Sequence, residues 1–296
     1  MRFPESWSSA SLAKTRWQKH PQDKFVLDTA FALIEGHPPG LTPDISYSLG
    51  NYSDGSAYYA LDIQVAPGAP HTTAVTRGAD VDPAAQGGIT IFDDSTPRPT
   101  STPEATQTYD SLQWGSDASV LYAADSEAEN IGFDFYTLSV SSAGVVLNQD
   151  YPNVFWNPGR IHYDSTNGLI YSDDGFHAVD PTTGLPAGLY EVGGGWPMAP
   201  DSTLGIVFIF DHYIWQENSN YTIDLFDMTH YVPVARIPLS TVQSGINSLG
   251  RFIRWGTNGL AVNDTAGNLY LISGPFVSAN PNSRSQTPAQ NLGRKQ

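Results

Sequence analysis

Gln113-Trp114-Gly115-Ser116-Asp117 and Arg254-Trp255-Gly256-Thr257-Asn258 are two copies of one strand ending, and the chain holds three more. Gln64-Val65-Ala66-Pro67-Gly68, His162-Tyr163-Asp164-Ser165-Thr166 and Met198-Ala199-Pro200-Asp201 complete the set, each an apolar anchor followed by turn-forming residues. The anchors Val65, Trp114, Tyr163, Met198 and Trp255 recur at intervals of roughly 35 to roughly 57 residues, a spacing that suits four strands and their turns. Repeats of that size, rich in strand and turn signals and free of long apolar runs of helical period, point to blades around an axis rather than to a helical solenoid.

Within each repeat the third strand is the clearest. Gly88-Ile89-Thr90-Ile91-Phe92-Asp93, Phe133-Asp134-Phe135-Tyr136-Thr137-Leu138, Phe176-His177-Ala178-Val179-Asp180, Tyr221-Thr222-Ile223-Asp224-Leu225-Phe226-Asp227 and Asn268-Leu269-Tyr270-Leu271-Ile272 are β-branched and aromatic runs bounded by Gly, Asp, Ser or Pro. Second strands are expected over 73–75, 120–123, 169–171, 205–210 and 260–262, and outer strands over 144–147, 189–192 and 232–237. In the first repeat the Pro- and Thr-rich stretch 98–106 reads as an exposed edge or a loop in place of the outer strand.

The last repeat stops after three strands at Pro275-Phe276-Val277, while Thr42-Pro43-Asp44-Ile45-Ser46-Tyr47-Ser48-Leu49 stands ahead of the first as an orphan outer strand. Joining the two closes a ring and removes sheet edges that would otherwise template aggregation. The fold class is therefore all-β, a β-propeller of four-stranded blades, about five of them, with terminal strand closure. The alternative is a fragment of a six- or seven-bladed propeller, with 25–36 the remnant of a further blade. The domain reading is a disordered or atypical segment over 1–24, the propeller over 25–278, and a disordered polar tail over 279–296.

Composition narrows the setting. The formal charge is −16, and the propeller body carries arginines but no lysine between Lys24 and Lys295. So acidic a surface repels nucleic acid and anionic membrane, whose phosphates need basic groups, and neither partner is expected. The 296 residues suit one large β domain, expected as a monomer. Cysteine is absent, which excludes disulfides and thiolate metal sites. Residues 1–24 hold scattered basic groups and no apolar stretch long enough for a signal peptide or a membrane span. Sparse lysine with abundant Asn, Thr, Ser, Gly, Tyr and Trp nonetheless matches the composition of exported bacterial β proteins, and a secreted or extracytoplasmic location is the expectation.

The blade pattern, with Trp255-Gly256-Thr257-Asn258-Gly259-Leu260-Ala261 followed by Leu269-Tyr270-Leu271-Ile272-Ser273-Gly274-Pro275, resembles the YVTN-type, quinoprotein-dehydrogenase-like β-propellers of bacteria over residues 42–277. That resemblance implies the fold. It does not choose a function, because such propellers include binding scaffolds, surface proteins, lactonases and quinone-cofactor enzymes.

Alignment of the repeats places Gln64, Gln113, His162, Pro197 and Arg254 at one position, with Asp62, Ser111 and Arg160 two residues before three of them. Period-2 alternation sets these apart from the apolar residues on either side, so they line an axial tunnel or satisfy one another between blades. Gln64, Gln113, Arg160 and Arg254 are the ligand-binding candidates there. His162 with Asp164 is the candidate catalytic pair, a histidine and carboxylate able to act as general base or to help bind calcium or another divalent cation. No recognised ligand spacing fixes a metal or other cofactor. Asp173-Asp174-Gly175 reads as a hairpin turn. His212 and Trp215, in the excursion 211–220, are candidates for a rim loop contacting a sugar or peptide.

No Gly-x-Ser-x-Gly elbow, His-Glu-x-x-His helix, phosphate loop, EF-hand or sialidase-type Asp box occurs. Two functions remain. One is a non-enzymatic domain binding carbohydrate or protein through rim loops and the tunnel mouth. The other is a propeller hydrolase, a metal-dependent lactonase or a glycosidase, using tunnel residues around His162.

Overall fold

The computed structural model describes residues 48–79, 85–104, 109–125, 133–156, 159–173, 177–192, 197–212, 221–239, 249–264 and 268–278, with the backbone of 11–16. The chain forms two compact bodies, His20–Gly195 and a second one combining Met1–Lys19 with Trp196–Gln296. Past a first strand, β1 (Ser11–Arg16), the His20–Gly195 body builds one blade from β2 (Tyr58–Ala66), β3 (Ala69–Ala79), β4 (Ala85–Asp93) and a two-residue outer strand, β5 (Thr96–Pro97). A second blade is β6 (Ser111–Trp114), β7 (Val120–Ala124), β8 (Phe133–Ser141) and β9 (Gly144–Phe155). A third is β10 (Ile161–Asp164), β11 (Leu169–Ser172), β12 (His177–Asp180) and β13 (Leu185–Leu189).

The other body holds a fourth blade, β14 (Met198–Asp201), β15 (Ile206–His212), β16 (Tyr221–Asp227) and β17 (Pro233–Pro238), and a fifth made of β18 (Leu249–Trp255), β19 (Gly259–Asp264) and β20 (Asn268–Ser273). Each of these is a four-stranded antiparallel sheet, the blade of a β-propeller, and the described residues contain five.

The fourth strand of the last blade is β1. It runs antiparallel to β20 from Ser11 opposite Ser273 to Arg16 opposite Asn268. This corrects the expectation that 42–49 would supply the closing strand, which comes instead from within the 1–24 segment. Pairing along an edge is made by backbone groups, so Ser11-Leu12-Ala13-Lys14-Thr15-Arg16 closes the blade without a marked side-chain pattern. Residues 25–36, read as the remnant of another blade, lie outside the described residues.

Turn chemistry explains the remaining shifts. Asp180 Oδ1 accepts the Thr182 N–H at 2.8 Å, and Gly184 sits at a φ of 68°. A Cβ on Gly184 would lie 2.4 Å from the Tyr151 ring. That tight turn starts β13 at Leu185 rather than at 189. In the fourth blade, Asp201-Ser202-Thr203-Leu204-Gly205 repeats the turn Asp164-Ser165-Thr166-Asn167-Gly168, with Asp201 Oδ1 accepting the Leu204 N–H at 3.0 Å. The anchor equivalent to Tyr163 is therefore Pro200, and Ala199 takes the place assigned to Pro197.

Alternation along the second strands divides two cores. On β7, Leu121 and Ala123 face the first blade's Ala74, Ile89 and Ile91, whereas Tyr122 and Ala124 join Phe135, Phe155, Ile161, Ile170 and Val179 between the second and third blades. In the second body, Phe208, Phe210 and Ile223 pack on Phe252, Leu260, Val262 and Phe276. A fully buried side chain of this size contributes about 1.5–3 kcal/mol. Stacked blades thus bury both faces of their middle strands, which is why β7 and β15 read as nearly continuous apolar runs.

Candidate functional site

Polar residues at equivalent positions on or just before the inner strands of the first three blades bind one another and the next strand's backbone. Asp62, with its side chain only 1% exposed, accepts the N–H groups of Ile63 and Leu112 at 2.9 Å each, the Gln64 amide at 3.3 Å, and Arg160 Nη1 at 3.2 Å. Ser111, at the equivalent position one blade on, accepts the Ile161 N–H through Oγ at 3.0 Å. One link is thereby made twice, a side-chain acceptor on one inner strand taking the backbone N–H of the next. Arg160 reaches from the third blade back to the first, and its charge offsets the buried Asp62 carboxylate.

His162 is paired, but not with Asp164. Its Nε2 lies 2.7 Å from Asp173 Oδ1, with the two side chains 15% and 9% exposed. The Asp173 N–H donates to the Arg160 carbonyl at 2.8 Å, so the pair closes the end of the β10–β11 hairpin. Asp164 stands at the other end of β10, where Oδ1 accepts the N–H groups of Thr166 and Asn167 at 2.8 and 3.3 Å. Its position at the head of the turn accounts for its identity. Among the described residues no group of three or more His, Cys, Asp or Glu is arranged to hold a metal ion.

In the second body Arg254 is equally committed. Its Nε lies 2.7 Å from Asp201 Oδ2, its Nη1 donates to the Gly259 carbonyl at 2.9 Å, and its Nη2 donates to the carbonyls of Thr257 and Val277 at 3.1 and 3.0 Å. The guanidinium also lies 5.5 Å from the centre of the Phe208 ring. The His212 side chain and Trp215 lie outside the described residues.

Where the same inner strands end, the first body opens a pocket of about 230 Å³ lined by Val65, Pro67, Gln113, Trp114, Tyr163 and Ser165 among others. The turns between the first and second strands of three blades build it, and three of the repeat anchors line it. Trp114 is 3% exposed and fixed by an Nε1–H bond of 3.0 Å to the Gln64 carbonyl, while Val65 is 48% exposed. Tyr163 packs against Tyr122 with ring centres 5.3 Å apart. Burial pushes the Tyr122 hydroxyl up to about 12, reinforced by Tyr163 and then by the carboxylates of Asp117 and Asp180. The floor is aromatic, the lip sets Val65 and Pro67 among Gln113, Ser116 and Ser165, and the surroundings are anionic.

Of the sequence candidates, Gln113 lines the pocket, Gln64 and Arg160 belong to the polar set, and His162 and Asp164 stand at opposite ends of β10. Val65 and Tyr163 are two of the apolar anchors of the repeat. Their place at the head of exposed turns, beside Pro67 and Ser165, is the signal that marks them as rim residues.

No family model matches the chain, and no curated protein does. Among solved structures it is similar to BamB from Moraxella catarrhalis, at 12% identity over 79% of this chain and 61% of that one, with a TM-score of 0.39. It is also similar to Kuenenia stuttgartiensis hydrazine synthase, at 11% identity over 70% and 63% of the two chains and a TM-score of 0.47. A third likeness is to Chaetomium thermophilum Sqt1 bound to the N-terminus of the ribosomal protein L10, at 15% identity over 76% and 73%, with a TM-score of 0.43. The chain spans less than two thirds of the first two. These are β-propeller proteins, and likeness at this level concerns fold alone. The blades described above rest on the sheets themselves.

Proposed function

We propose that this chain is a non-catalytic β-propeller recognition module that binds a protein segment at the turn face of its first three blades. The observation that carries this reading is the contrast along the inner strands. The groups with chemistry to offer pair off, Asp62 with Arg160 and His162 with Asp173, whereas the open pocket sets Val65, Pro67, Trp114 and Tyr163 beside the neutral polar Gln113, Ser116 and Ser165. Concave sites with apolar and aromatic walls and a few polar groups bind ligands without needing a reactive centre. On its composition and the YVTN-type repeat ending, we place the module outside the cytoplasm.

The test is a binding screen of the full chain against arrayed peptides and a panel of oligosaccharides, run beside turnover assays on lactones and glycosides. The proposal expects peptide binding that Val65→Ser weakens by several-fold while the unfolding midpoint stays in place. Turnover abolished by His162→Ala would overturn it in favour of a hydrolase. Oligosaccharide binding without peptide binding would replace the protein ligand by a sugar.

A further inference from the structure

The body His20–Gly195 has no uncommitted arginine among its described residues. Arg77 donates to the carbonyls of Leu49 and Gly87, Arg98 is held by Asp93 and the Ser141 carbonyl, and Arg160 is held by Asp62. The sequence has no lysine between Lys24 and Lys295. Charge at the pocket is consequently of one sign. Asp117 follows the lining residue Ser116, Asp164 stands between Tyr163 and Ser165, and Asp180 is close enough to act on Tyr122 beneath Tyr163.

These three carboxylates share one arrangement. Asp117, Asp164 and Asp180 each use Oδ1 to accept a turn N–H, from Ser119, Thr166 and Thr182 respectively, at 2.8 Å in every case. Their Oδ2 atoms have no partner among the described residues. Each carboxylate is thus oriented by its own turn and has an oxygen to spare near a pocket whose lip mixes Val65 and Pro67 with Ser116 and Ser165. Unlike charges across an interface steer encounter and fix register, and the complement of this rim is positive.

Resting on the recognition reading above, we infer that the pocket takes a cationic polypeptide segment, an apolar side chain seated against Val65, Pro67 and Tyr163 and flanked by lysine or arginine facing Asp117, Asp164 and Asp180. The aromatic floor with Val65 and Pro67 at its edge supplies the anchor. The rim carboxylates select the sign of what surrounds it. A neutral or acidic segment with the same anchor leaves three carboxylates unpaired at the contact and is disfavoured accordingly.

The probe is an array of random-sequence peptides, read with the labelled full chain at about 0.1 M and about 1 M salt, where the screening length falls from ~10 to ~3 Å. The bound set is expected to be enriched in Lys and Arg around apolar residues, and its signal to fall at least tenfold at high salt. The variant Asp117→Asn with Asp164→Asn and Asp180→Asn keeps an oxygen for each turn N–H and so keeps the fold. It is expected to lose that enrichment while still binding apolar peptides through Val65. If bound peptides show no basic enrichment, or the triple variant binds the same set at the same strength, the cationic ligand is overturned while the pocket stands. If nothing on the array binds, or binding is indifferent to Val65→Ser, the recognition reading itself falls.

Discussion

The inner strands of the first three blades have two unlike ends. Where they begin, a buried carboxylate, a serine and an arginine consume one another and the backbone N–H groups of the next blade. Where they finish, Val65 and Tyr163 open onto a pocket, and Asp117 and Asp164 keep an oxygen to spare. The difference separates two meanings of a polar or apolar residue in this fold. Polar groups between these inner strands are joinery, and apolar groups at their turns are contact surface.

The largest expected effect lies at the joined end. Asp62→Ala leaves the Arg160 guanidinium and the Leu112 N–H without their acceptor, and should cost about 3–5 kcal/mol in urea-induced unfolding. A loss under about 1 kcal/mol would mean that the polar set is not what joins these blades. Ser111→Ala removes one acceptor from the buried Ile161 N–H and should cost about 1–3 kcal/mol in the same measurement. At the open end, Val65→Ser should alter stability by no more than about 0.5 kcal/mol, because the side chain is half-exposed, yet weaken peptide binding. A large stability loss there would show that Val65 is core after all.

The smallest effect belongs to neither end and serves as a control. Burial, and then the neighbouring Asp134, raise the carboxyl of Asp150 on the outer strand β9 above its usual range. A raised carboxyl favours the native state while protonated, so its contribution is complete below pH ~4, the unfolded value, and declines as pH rises through the folded one. Asp150→Asn should accordingly stabilise the protein at pH 7. The gain should be at most about 0.5 kcal/mol because the site is exposed, and should vanish as pH falls toward 4. Thermal unfolding across that range checks it.

Much of this was legible in the sequence, for identifiable reasons. Strands such as Phe133-Asp134-Phe135-Tyr136-Thr137-Leu138 announce themselves by β-branched and aromatic content, and the strand ending at Trp114 recurs closely enough to place every inner strand. The fourth blade slipped by two residues because Met198 is the more apolar choice, although the turn Asp201 to Gly205 copies Asp164 to Gly168. An even shift kept the correct residues on each face. The closing strand was not legible, because Ser11–Arg16 earns its place by backbone pairing with β20.

The site was harder to read than the fold. Repeat alignment brings Gln64, Gln113, His162 and Arg160 onto or two residues from one position, yet alternation alone does not tell a lined tunnel from a mutually satisfied cluster. That distinction needs the partners: Asp173 for His162, contributed by the next strand, and Asp62 for Arg160, contributed two blades away. Nor does spacing reveal that Val65 is 48% exposed while Trp114, its counterpart in the next repeat, is 3% exposed. Which anchor faces the core depends on the neighbouring blade.

The most direct test compares one substitution from each end by unfolding midpoint and by affinity for the best peptide from the array. Val65→Ser should weaken binding several-fold with the midpoint unmoved, and Asp62→Asn should lower the midpoint while the folded protein binds as before. The reverse pattern, with binding lost on Asp62→Asn and retained on Val65→Ser, would contradict the account and move the site to the Asp62 set.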